Sequence, residues 1–267
     1  MTVTGAAPAG FANDDLEPVA DDPRRERDRR RVQLALAYRL FGALRWGELG
    51  DGHITARDPL APDHFWMLAH GVSFDAARTA DIVLVAPDGT VDGDPRLVNR
   101  AGYHIHRPLH DARPDVVAAA HTHTAWGTPF SAERRLIEPV TQEATIFFED
   151  HALFDDEEVQ ILGLDGGRRI AAALGPRRAV VLANHGLLTV GSSVADAVAH
   201  FVIMERVAEA VLKAPGARPI GAEAARTARD ALNRPGNGWR TFRWLARRHL
   251  GVDPLDAAEL VGPATTA

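Results

Sequence analysis

The sequence predicts an α/β chain in which one sheet is flanked by helices, and three observations carry that prediction. A length of 267 residues suits one large domain and falls short of two full-sized enzyme domains. Short apolar runs of strand length are mixed with longer stretches of helical periodicity. The two kinds of segment follow no regular strand–helix–strand period, and no internal repeat is present.

Residues 1–22 are small, acidic and rich in Pro and Gly, with Phe11, Leu16 and Val19 as the sizeable apolar side chains, and they read as a flexible leader. The main domain is expected over 23–220. A helix starts at Asp22-Pro23 and runs to Leu44, its apolar spacing supplied by Val32, Leu34, Leu36, Leu40 and Phe41 and its stop by Gly47. Strand-like runs follow at His53–Ala56, Phe65–Leu68 and Asp81–Ala86, the last closed by the turn Pro87-Asp88-Gly89. Residues 99–113 read as helical, with Pro108 at a kink. Val116–Thr122 is a buried strand leading into His123. A helix is expected over Gln142–Phe148, then a loop through Phe154-Asp155-Asp156 and a helix over Gly167–Leu174. Ala179–Leu182 and Leu187–Val190 are strands joined by the turn Asn184-His185-Gly186. Val194–Lys213 is the longest clear helix, with Ser193 as its N-cap and Pro215-Gly216 as its exit. Residues 221–267 form a helical tail carrying Trp239, Phe242 and Trp244, either an anchor on its own subunit or a cover over a neighbour's site.

Composition removes several chemistries. Cysteine is absent, which excludes thiol nucleophiles, disulfides and cysteine-ligated metals. Lysine occurs once, as Lys213 at a helix end, which argues against Schiff-base catalysis. A net charge of −6 argues against nucleic acid as a partner. The arginines of 24–31 alternate with Glu26 and Asp28, as on a solvated helix face. No apolar stretch approaches the roughly 20 residues of a membrane span, and the acidic N-terminus lacks a signal-peptide layout. A cytoplasmic protein acting on a small molecule is the expectation.

Histidine is plentiful, with 12 in the chain. His121 and His123 lie one residue apart on a predicted strand, so their imidazoles share a face and could hold one metal ion. His185, in a tight turn between two apolar strands, is the candidate third ligand. Three neutral imidazoles with an open position form a catalytic divalent-metal site, for zinc or iron, with manganese or cobalt as further candidates. Among 12 histidines such a pair also arises by chance. Trp126, three positions on, could form an aromatic pocket wall.

From about residue 32 to 245 the chain resembles the class II aldolase/adducin-head family. The resemblance rests on Ala112-Arg113-Pro114-Asp115 leading into His121-Thr122-His123-Thr124, and on Asn184-His185-Gly186-Leu187-Leu188. Gly52-His53-Ile54-Thr55-Ala56-Arg57 resembles the family's glycine-rich substrate loop, and Gly238-Trp239 with Phe242 the tail of its adducin-like branch. The resemblance implies a central, mainly antiparallel sheet with helices on both faces. It implies one divalent metal ion per subunit on His121, His123 and His185, and a homotetramer with sites between subunits.

The departures from the family are as informative. Its sugar-phosphate aldolases carry a general-base Glu about 19 positions before the first metal-binding His, where this chain has Gly102. Their phosphate loop of Thr-Ser-Gly appears as Ala69-His70-Gly71, so a phosphorylated substrate is not expected. Glu143 is the carboxylate expected to replace the lost Glu as base, ligand or partner to a ligand, with Tyr103 and His106 as further catalytic candidates. His53, His70, Gly71, Trp126 and His110 are expected to contact substrate, His106 and His110 sharing one helix face. Three functions follow. The first is metal-dependent C–C cleavage of an unphosphorylated carbonyl or 2-oxo acid substrate. The second is Fe(II)-dependent oxidative shortening of an aryl 2-oxo acid, as in a branch of the family in aminocoumarin antibiotic pathways. The third is a non-catalytic adducin-like scaffold.

Overall fold

The computed structural model describes residues 16–257, so residues 1–15 of the expected leader and 258–267 of the tail lie outside the described residues. A seven-stranded sheet is formed by β1 (His53–Arg57), β2 (Phe65–Leu68), β3 (Ile82–Val85), β4 (Ala118–Thr122), β5 (His151–Phe154), β6 (Ala179–Leu182) and β7 (Gly186–Gly191). Their order is β3-β2-β1-β4-β7-β6-β5. Every pairing is antiparallel except β5 with β6, as the mainly antiparallel expectation requires.

Helices cover both faces. On one side α1 (Pro23–Ala43), α5 (Val194–Lys213) and α7 (Asn237–Leu250) bury a continuous core with Ile54, Ala56, Ala118, Ala120, Val181 and Leu187. On the other, α2 (Arg100–Ala112) and α4 (Leu164–Leu174) pack on Ala119, Val180, Leu182, Leu188 and Val190. The period of two along β1 and β4 assigns their residues to these faces. It places His53, Thr55 and His121 on the α2 side, opposite the large apolar core.

The helices begin where local chemistry dictates. Asp22 caps α1 by accepting from Arg24 N, with Pro23 at the first turn. Ser193 caps α5 through Asp196 N, as expected. Asn99 caps α2 through Gly102 N, and Pro108 sits inside that helix without ending it. The proline leaves the His104 carbonyl without its helical donor. Gly167 of α4 packs against that carbonyl so closely that a Cβ there would lie 2.0 Å from it. Close approach of α2 and α4 therefore depends on a glycine.

Several expectations are revised. The helix foreseen over 142–148 is a 3-10 segment, Glu143–Phe147, where Thr145 Oγ1 donates to the Gln142 carbonyl at 2.6 Å. Residues 151–154, outside the expected strands, form edge strand β5, paired in parallel with β6. A further helix, α3 (Gly127–Ala132), arises from a distant carboxylate: buried Glu205 of α5 accepts from Thr124 Oγ1, Trp126 N and Gly127 N. The arginine run on α1 is not simply solvated, since Arg29 and Arg30 bond buried Glu26 and Arg27 bonds Asp58. Within the leader, Glu17 accepts from Gln33 at 2.9 Å and pairs with Arg29, which ties the described part to α1.

The tail forms α6 (Ala222–Leu232) and α7, and its aromatic residues divide. Trp239 and Phe242 are buried in the main core, whereas Trp244 is 66% exposed. The described part of the tail thus packs on its own subunit through Trp239 and Phe242. No helix among the described residues is long and apolar enough to cross a membrane.

Candidate metal centre

Each of the three expected ligands owes its position to a different feature of the sheet. His121 lies within β4, opposite His53 of β1 and Leu188 of β7. His123 falls just beyond the strand end, and His185 sits in the β6–β7 turn. That turn is tightened by Asn184, whose φ of 56° is left-handed, a conformation Asn tolerates better than most residues. Asn184 N donates to the Ser131 carbonyl at 3.1 Å and His185 N to the Leu182 carbonyl at 3.0 Å, so the turn is fixed on both sides.

The ligand atoms of His121, His123 and His185 all lie within 4.8 Å of one another. His121 Nδ1 donates to the Leu187 carbonyl at 2.8 Å, which leaves the Nε2 lone pair free. His123 Nδ1 lies 3.4 Å from Asp51 Oδ2, a carboxylate–imidazole pairing of the kind that orients metal ligands. Burial, reinforced by the neighbouring imidazoles, holds His121 well below the usual range. Burial and then His123 push His185 down to about 4. Both rings are therefore neutral near pH 7, the form that binds a metal. Three imidazole nitrogen donors, two of them on rings with partners behind them, fit one divalent ion with coordination positions to spare.

A second group of histidines adjoins the first. His53 of β1 has its ring centroid 5.0 Å from that of His121, but it does not belong to the convergent group. Its Nδ1 lies 2.7 Å from His106 Nε2. His106 Nδ1 is 2.6 Å from Thr55 Oγ1, which is 2.9 Å from His110 Nε2. Arg57 Nη2 closes the file 3.4 Å from His110 Nδ1. Two periodicities make this seam possible. Alternate residues of a strand advance about 6.7 Å and an i, i+4 helical pair about 6 Å, so His53, Thr55 and Arg57 interleave with His106 and His110.

A cavity of about 220 Å³ opens beside His53, lined also by His70, Gly71, Asn99 and Leu68. Of the expected substrate contacts, His53, His70 and Gly71 thus share one wall. His110 does not line that cavity, because it is buried in the seam. Trp126 lies elsewhere too: its ring packs on the main core with Lys213 Nζ 4.6 Å from its centroid. Tyr103 is a core residue whose hydroxyl donates to the Pro87 carbonyl at 2.8 Å, and burial pushes its phenol up. Glu143 is exposed on its 3-10 segment and is not in the convergent group. The segment resembling a substrate loop is, beyond Gly52 and His53, the interior of β1. His106 is brought to the site's edge, bonded on both ring nitrogens.

Position 102 explains the absent carboxylate. A Cβ on Gly102 would lie 2.9 Å from His53 Cγ, so the His53 ring fills the space where a side chain there would begin. Asp51, Thr55, Arg57 and Glu205 were not singled out as site residues from the sequence. The alternation His53, Thr55, Arg57 was its one available signal.

The class II aldolase and adducin N-terminal domain model matches residues 32–212. A Streptomyces roseochromogenus subsp. oscitans protein described as 4-hydroxy-3-prenylphenylpyruvate oxygenase/4-hydroxy-3-prenylbenzoate synthase is 40% identical over 249 residues, covering 90% of this chain and 89% of its own. Decarboxylase NovR of Streptomyces niveus is 39% identical over 245 residues, 89% of this chain and 90% of its own. Among solved structures, L-fuculose 1-phosphate aldolase from Glaciozyma antarctica PI12 superposes with a TM-score of 0.77 at 32% identity, covering 88% of this chain and 95% of that one. With the antiparallel sheet and histidine triad in place, these similarities identify the chain as a member of the class II aldolase and adducin N-terminal domain family.

Proposed function

We propose that the protein is an Fe(II)-dependent oxygenase that oxidatively shortens an aryl 2-oxo or 2-hydroxy acid, releasing carbon dioxide. The observation that carries this reading is the reach of the oxygenase similarity, which spans 90% of the chain and so extends past the family domain into its flanks. His121, His123 and His185 would hold the ion, with Asp51 orienting His123. When bound, iron would supply one-electron chemistry with dioxygen and a Lewis-acid anchor for the acid group. Gly102 leaves no carboxylate at the aldolase base position, which suits a reaction that does not depend on a strong base there. His53, His70 and Asn99 offer polar contacts on the cavity wall. The same reading keeps the homotetramer, in which a neighbouring subunit would close the side where His123 is exposed.

Metal-dependent C–C cleavage without oxygen is the second reading, favoured by the likeness to the Glaciozyma antarctica aldolase. One experiment separates them. Protein purified anaerobically without chelator is loaded with Fe(II), and oxygen uptake is followed with 4-hydroxy-3-prenylphenylpyruvate. Uptake coupled to carbon dioxide release is expected. Cleavage by zinc-loaded protein without oxygen would replace the proposal with the lyase reading, and failure to retain any metal would favour a scaffold.

A further inference from the structure

The three candidate ligands are not held alike. His121 lies within β4, where its backbone is paired with β1 and β7. His123 and His185 lie just outside the strands and have no ladder partner. Both of their segments are tied to α3, and α3 depends on one distant side chain. With six residues it is too short to persist alone, and Trp126 at its N-cap makes no side-chain bond. Glu205 of α5 fills that role. Its Oε1 accepts from Trp126 N at 3.0 Å, and its Oε2 from Gly127 N and Thr124 Oγ1, both at 2.6 Å. Gly127 admits the carboxylate, since a Cβ there would lie 2.9 Å from Oε2 and 2.7 Å from Leu187 Cδ1. Further along α3, the Ser131 carbonyl accepts from Asn184 N at 3.1 Å, in the turn that carries His185.

We propose that Glu205 is a positioning residue that sets the spacing between His123 and His185, its carboxylate anchoring both segments through α3. The path ends at Thr124, one residue after His123, and at Asn184, one residue before His185. Glu205 is 4% exposed, and among the described residues no cation forms an ion pair with it. Its three side-chain bonds all go to residues 124–127. A buried carboxylate without a counter-ion is costly, and an apolar side chain would fill a helix core more cheaply. What the carboxylate serves is the turn after His123. Lys213, two turns further along α5, sets its Nζ 4.6 Å from the Trp126 ring centroid, so the same helix grips that turn twice. Asp51 faces the ring of His123, whereas Glu205 places its backbone. The inference rests on the triad as a metal site and not on which reaction follows.

Zinc affinity, measured by competition with a chelator, tests this against a matched control. Asp58 is also a buried carboxylate that accepts from loop amides, those of Leu60 and Ala61, but it lies past the Arg57 end of β1, away from His53. Glu205→Gln keeps the size, offers one acceptor oxygen in place of two, and should weaken zinc binding about tenfold. Asp58→Asn should stay within about twofold of the unsubstituted protein. Unchanged affinity in Glu205→Gln, or an equal loss in Asp58→Asn, would overturn the proposal. Hydrogen exchange of the metal-free protein gives a second readout. In Glu205→Gln, exchange should rise at residues 124–128 and also at Asn184, and in Asp58→Asn at neither. A rise confined to 124–128 would overturn the proposal, because His185 would then be held independently. Should Glu205→Gln not fold, Thr124→Val removes one of the three bonds and should weaken zinc binding about threefold, with unchanged affinity counting against the proposal. If the unsubstituted protein binds no zinc, the metal reading fails while the exchange pattern still decides whether Glu205 links the two segments.

Discussion

The triad and the seam are both built of histidines, all buried in the seam and ranging from buried His121 to exposed His123 in the triad, and they meet where β1 pairs with β4. They differ in what their nitrogens face. In the triad, His121 spends one nitrogen on a backbone carbonyl and keeps the other free, facing two further imidazoles. In the seam, His106 has a partner on each nitrogen, and so has His110. Saturation of hydrogen bonds, and not residue type, separates the candidate ligands from their support. His53 stands between the two, bonded through Nδ1 and open at Nε2.

The largest expected effect comes from the unsaturated group. His185→Ala removes one of three donors and should abolish metal binding and activity while the circular dichroism spectrum is unchanged, since the turn is held by backbone bonds. Substituting behind the triad is milder. Asp51→Asn should lower metal affinity or activity roughly 10- to 100-fold, measured by competition with a chelator, because only the orientation of His123 is disturbed. The seam responds through stability. His110 titrates at about 3 in the folded chain, and an unfolded imidazole does so near 6.5, so its contribution is fully present above pH 6.5. It is lost as the pH falls toward about 3, by at most about 1.4 kcal/mol per pH unit for that one group. Chemical denaturation of the metal-free protein across pH 7 to 5 should record falling stability.

How much was legible in the sequence follows from the distances involved. The triad was readable because its signals are local: a His-x-His at strand period and a histidine in a tight turn between apolar runs. The long helices were readable for the same reason, through Ser193 and Asp22 as caps. The seam joins residues 51 to 55 positions apart, so each half showed its own period while their interleaving stayed hidden. Tyr103 and Trp126 stand close to the motifs in sequence, yet packing turns both rings away, one toward Pro87 and one beneath Lys213. Glu143 remained a candidate because a missing carboxylate invited a replacement. In the fold, what fills the space beside Gly102 is His53.

Metal content measured across both groups tests the central distinction most directly. One divalent ion per chain is expected in the unsubstituted protein and in His106→Gln, and none in His121→Ala, His123→Ala or His185→Ala. Loss of the ion from His106→Gln while a triad variant retains it would contradict the assignment of the triad as ligands and the seam as their support.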